Sequence, residues 1–119
     1  MDLRIALLSL FFGGIGVIAF VSPGGYAKIV GLANLTRLSR NEIQAVYGGF
    51  GVAMAATLLY AATTPNLRDG VLFTTGAALA GMALGRVVAA VREWPGPVPV
   101  LYFGIEALLA ALAFGLLSH

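Results

Sequence analysis

The chain has no cysteine and a single histidine, His119, at its last position. That excludes disulfides, thiolate metal ligands and a cysteine nucleophile. It also removes the side chain on which most zinc sites, haem sites and serine–histidine dyads depend, so neither a metal nor another cofactor is expected. Charge is scarce as well. Asp, Glu, Lys and Arg make up 10% of the 119 residues, against roughly 25% in soluble domains. The net charge of +2 comes from scattered groups with no basic run. The dense cationic face that nucleic acid requires is missing, and nucleic acid is not expected as a partner. What is plentiful is apolar: hydrophobic residues account for 60%, and the mean hydropathy is +0.95. Such a chain cannot cover itself with polar groups in water. The lipid bilayer is its expected solvent and first partner.

Four apolar segments stand out, at about residues 5–21, 43–63, 71–91 and 100–117. Each is about long enough to cross a hydrocarbon core of ~30 Å at a helical rise of ~1.5 Å per residue. Backbone groups in lipid must bond within their own segment, so these are read as helices. The expected fold is all-α, a polytopic membrane protein with four transmembrane helices in an antiparallel bundle, filling residues 1–119 as a single domain. The first segment resembles a signal peptide in having Arg4 before an apolar run, but "IAFVSPGG" lacks a small-x-small cleavage site. It is read as helix one.

The breaks between segments are legible. "TTPNLRDG" predicts a tight turn with Asp69 as N-cap, and the prolines and glycine of "REWPGPVP" forbid continued helix. In "YAKIVGLANLTRL", Tyr26, Ile29, Val30 and Ala33 follow helical spacing, which predicts a short helix in the headgroup plane with Lys28 and Arg37 toward water. Ser39-x-x-Glu42 fits a capping box opening the next helix. Four spans put both termini on one side. The face with the termini carries Arg4 and Arg68, and the other carries Lys28, Arg37, Arg40 and Arg92. The positive-inside rule places the second face in the cytoplasm and the termini on the opposite side of the membrane.

One residue is out of place. Glu106 lies in the last apolar segment, with no basic residue anywhere in 96–116. Arg86 is the basic residue set well inside a span. The connection between the last two helices is too short for anything but an antiparallel pair. Arg86 precedes Trp94 by eight residues and Glu106 follows Pro99 by seven, which puts both about 10 Å below the same face. An ionised side chain in mid-span costs roughly 2.5–3.5 kcal/mol on insertion scales, and pairing offsets much of that. Arg86 and Glu106 are therefore expected to meet. Tyr102 lies one turn from Glu106, and Glu42, Gln44 and Tyr47 belong to the same half of the membrane. These six residues form the candidate ligand-binding set. Competing packing roles stand beside it: a structural ion pair for Arg86 and Glu106, the capping box for Glu42, and an interfacial aromatic belt for Tyr47, Tyr102 and Trp94.

Glycine is abundant and patterned. "FFGGIGVIA" in helix one is echoed by "VYGGFGVAM" in helix two. Gly14-x-Gly16-x-x-Ala19 mimics part of a dinucleotide fingerprint, but no strand precedes it. Close helix packing through small residues is the better reading, extended to Gly81-x-x-x-Gly85 and Ala111-x-x-x-Gly115.

"NEIQAVYGG" at 41–49, "GR" at 85–86, a proline–glycine turn and an acidic residue early in the last span together resemble domain of unknown function 4345, a family of small bacterial membrane proteins with four predicted helices. The resemblance covers residues 39 to 115. It implies that Glu42, Tyr47, Gly48, Gly49, Arg86 and Glu106 are signature positions. The family often has arginine where this chain has Gln44, and Asp-Gly where it reads "EWPGP". It implies no activity.

The leading functional expectation is a polar cluster around Arg86 and Glu106 that binds a small lipophilic or amphiphilic molecule, in a cavity reaching both residues. The alternative is a structural accessory subunit, with a larger membrane protein complex or further copies of the chain as partner. A small proton-coupled transporter ranks third, because such proteins carry an essential acid in their first span and helix one has none. The reading leans away from an enzyme: Glu106 could serve as a general acid or base, but no nucleophile accompanies it.

Overall fold

Prolines, glycines and small hydroxyl side chains set where the helices begin and end. The computed structural model describes residues 2–118, so His119 lies outside the described residues. Five helices follow one another: α1 Leu3–Val21, α2 Pro23–Val30, α3 Arg37–Ala62, α4 Pro65–Arg92 and α5 Pro97–Gly115. All but α2 are long and apolar enough to cross a membrane. The all-α, four-span architecture expected from composition is the one observed, and the chain is an integral membrane protein. Its contacts divide it after Ala62 into two helical units.

In the first unit the chain turns at Ser22. Its N–H still bonds to Ile18 O (2.8 Å), while its hydroxyl accepts from Gly25 N (3.1 Å) and so caps α2. Pro23 at the first helical position costs no hydrogen bond there. The short helix expected between the first two spans is α2, but it starts earlier and stops at Val30, leaving Ala33 outside. Gly31 is the reason: its φ of +82° is left-handed and closes the helix. The next helix starts before the predicted 43. Thr36 is its N-cap, accepting from Ser39 N (3.0 Å), so Ser39 is inside the helix and the expected Ser39–Glu42 capping box does not form.

The paired "GG-x-G" echoes prove to be the contact between α1 and α3. A β-carbon on Gly16 would fall 2.5 Å from Val52 N, and one on Gly51 would fall 2.6 Å from Phe12 O. At that separation the two backbones touch, which only glycine permits. Ser9 ties the same interface by donating to Ala55 O (3.1 Å). At Ile43–Gly49, α3 widens to a π-helical segment. It spans the sequence "IQAVYGG" and turns Gln44 and Tyr47 toward the α1–α2 corner.

In the second unit α4 and α5 form an antiparallel hairpin. Thr64, not Asp69, is the N-cap of α4, and Pro65 opens it. Leu72, Thr75, Gly76, Leu79 and Ala83 are buried along one stripe, and the same heptad-like spacing runs on to Arg86. Phe114 of α5 packs flat over Gly76, where a β-carbon would lie 2.9 Å from the ring. The turn is set by Gly96, whose φ of +88° suits glycine, followed by Pro97 at the first position of α5. The last helix thus begins three residues before the expected 100. The small-residue packing predicted for Gly81, Gly85 and Gly115 is not found: a β-carbon on any of them would meet nothing within 4 Å.

Candidate functional site

Arg86 and Glu106 meet as predicted, though not at equal depth. Arg86 lies six residues from the end of α4, and Glu106 nine residues into α5, so their Cα atoms sit about 9 Å and about 14 Å from the turn. The offset closes because side chains lean toward the N-terminus of their own helix. In this hairpin that sends Arg86 deeper and Glu106 toward the turn. Arg86 Nε donates to Glu106 Oε1 (2.6 Å) and Nη2 donates to Oε2 (2.9 Å). This is a side-on, bidentate, charge-assisted pair.

Burial is unequal. Glu106 is 2% exposed, whereas the Arg86 side chain is 32% exposed. Tyr102, the third predicted member, lies under the guanidinium with its ring centroid 5.5 Å from Arg86 Cζ, a cation–π contact. Among the described residues the buried polar side chains are Ser9, Thr75 and Glu106, and no buried side-chain polar atom lacks a partner.

Arg86 also reaches a groove of about 280 Å³ at the turn end of the hairpin. Val87, Val91, Trp94, Pro99, Val100 and Phe103 supply most of its wall, and Arg86 is the one charged residue in the lining. Glu106 and Tyr102 do not line it. The expected cavity reaching both partners of the ion pair is thus corrected: the arginine fronts the groove and the carboxylate stands behind it, sealed by packing. A charged donor beside an apolar wall is an arrangement that suits an amphiphile, with its polar head at Arg86 and its chain along the wall.

The other three predicted residues have surroundings within the first unit. Gln44 Nε2 donates to Phe20 O (3.1 Å), and Tyr47 packs on the buried Tyr26 ring with centroids 5.0 Å apart. Both lie in the π segment, a distortion frequent at functional sites. Glu42 is exposed on α3. Among the described residues no group of three or more His, Asp or Glu side chains is gathered to hold a metal ion.

The sequence reading missed a second polar clasp at the far end of the hairpin. Arg68 donates to Leu116 O (2.8 Å), capping the last turn of α5, and Asp69 Oδ1 accepts from Ser118 N (3.1 Å). The signal was present, in an Arg-Asp pair near the start of one helix facing the carbonyl end of its antiparallel neighbour.

No curated protein and no solved structure matches the chain. A family model covers residues 2–117, a range that takes in "NEIQAVYGG", Arg86, Glu106 and the turn between them. By that match the chain belongs to the family described as Domain of unknown function (DUF4345).

Proposed function

We propose that this protein binds a small lipophilic or amphiphilic molecule in the groove at the α4–α5 turn, with Arg86 against its polar head. The observation that carries the reading is the join of one guanidinium to an apolar wall: Arg86 lines the groove, and its orientation is locked by a 2%-exposed Glu106 and the Tyr102 ring. Glu106 and Tyr102 act as positioning residues, and Gln44 and Tyr47 take packing roles beside Phe20 and Tyr26. The test is native mass spectrometry of the protein extracted from its host membrane in polymer nanodiscs. A stoichiometric lipophilic adduct, lost on Arg86→Gln, is the expected result. A bare protein in both forms would overturn the reading.

One observation favours a second reading, an accessory subunit of a larger membrane complex. Gly81 and Gly85 leave a small-residue surface on α4 where an added β-carbon would meet nothing within 4 Å, the kind of surface that admits a close helix neighbour. Stoichiometric co-extraction of another membrane protein in the same experiment, with no small adduct, would move the assignment there.

The orientation we propose has Lys28, Arg37, Arg40 and Arg92 on the cytoplasmic side of a bacterial inner membrane and both termini on the periplasmic side. Because the chain has no cysteine, an introduced cysteine is its sole thiol. An impermeant maleimide applied to intact cells should label Asn66→Cys and spare Leu32→Cys; the reverse pattern would invert the topology.

A further inference from the structure

The Arg86 groove carries information about the charge of what enters it. The guanidinium is positive, but both oxygens of a carboxylate already meet it, at 2.6 and 2.9 Å. That carboxylate is 2% exposed, so little water screens it. The remaining charges at this end of the hairpin are Arg92 and Glu93, adjacent, opposite in sign and both exposed. The groove therefore combines one visible positive edge with a net charge of zero.

We infer that it selects a neutral amphiphile whose head is a hydrogen-bond acceptor, such as an ester or ketone carbonyl, over one with an anionic head. This rests on the groove reading above and sharpens it. An anion entering the groove would lose its hydration and bring added charge against an apolar wall, while the attraction of Arg86 that should offset this is weakened by Glu106 close behind it. A cationic head would meet Arg86 before anything else and be repelled, because Glu106 does not line the groove. A carbonyl dipole escapes both penalties. Its oxygen is attracted by the guanidinium edge, and it adds no net charge to the site. Its chain lies along Val87, Val91, Val100 and Phe103, where burial from water or exchange with lipid is governed by fit alone. Glu106 is on this view the residue that sets the charge preference, although it touches no ligand.

Trp94 lines the groove and is the only tryptophan in the chain, so its fluorescence reports occupancy without a label. The probes are a brominated fatty-acid methyl ester, which is neutral, and a brominated alkyl sulfonate of equal chain length, which is anionic at every working pH. Each is titrated into the full-length protein in mild detergent, and saturable quenching is read. The expected result is saturation by the ester at a concentration at least about tenfold lower than by the sulfonate, the size of preference that a modest uncompensated-charge penalty produces. In Glu106→Gln the site carries a net positive charge, and the order reverses. Sulfonate binding as tight as ester binding in the unaltered protein would overturn the charge inference and leave the groove reading standing. Quenching that is non-saturable for both probes, and the same in Arg86→Gln, would overturn both. The comparison in the unaltered protein decides the matter even where Glu106→Gln folds poorly.

Discussion

Arg86 and Glu106, twenty positions apart in the chain, share two parallel hydrogen bonds, and of the two it is the arginine that lines the groove at the α4–α5 turn. The asymmetry separates two contributions that a buried ion pair usually confounds. Glu106 offsets the cost of carrying Arg86 inside a span, and Arg86 presents what remains of its surface to the groove.

Removing one partner should therefore be far worse than removing both. Arg86→Met leaves a 2%-exposed Glu106 without its charged partner and is expected to cost about 3–5 kcal/mol, the range for broken buried pairs. The double variant Arg86→Met with Glu106→Leu replaces both charges by apolar volume and is expected to lie near the unaltered protein or above it. Unfolding in mixed micelles with increasing sodium dodecyl sulfate measures both. A double variant as unstable as the single one would mean that the pair also directs the packing of the hairpin.

The glycines make a graded prediction within one helix. Gly16→Ala places a methyl 2.5 Å from Val52 N. Backbone cannot yield as a flexible side chain can, so the cost is expected at about 1–3 kcal/mol or above. Gly14→Ala, two positions away, meets nothing within 4 Å and is expected to be neutral or to stabilise by up to about 1 kcal/mol, through helix propensity and a less free unfolded chain. The same micelle assay compares them. Equal effects at the two positions would contradict the α1–α3 contact.

Arg68 closes the far end of the α4–α5 hairpin. Arg68→Gln removes the charged donor to Leu116 O, and the loss is expected at about 1–2 kcal/mol, appropriate to a partly exposed, charge-assisted cap at a helix C-terminus. The effect is local, so the appropriate measurement is amide hydrogen exchange. Exchange should quicken in the last turn of α5 and stay unchanged near Glu106. Uniform quickening along α5 would show that the clasp holds the whole hairpin.

Several features were legible without coordinates. The four spans followed from runs of apolar residues, and two of their breaks from the "TTPNLRDG" turn and the prolines of "REWPGPVP", because lipid requires internally bonded backbone and proline cannot continue it. The Arg86–Glu106 pair followed from cost and reach: two charges in adjacent antiparallel helices have no better partner. Other features were decided by tertiary structure. Of three small-residue patterns, the Gly16–Gly51 crossing is a contact, while Gly81, Gly85 and Gly115 stand open. The π segment at Ile43–Gly49, the groove beside Arg86 and the Arg68 clasp were likewise invisible. The physical reason is the solvent. In water an apolar stripe marks the buried face of a helix, but in lipid both the packed and the solvent-facing sides are apolar. Sequence pattern then tells which segments enter the membrane and where a charge needs a partner. It does not tell which apolar face meets another helix, and that is settled by the fit of one backbone against the next.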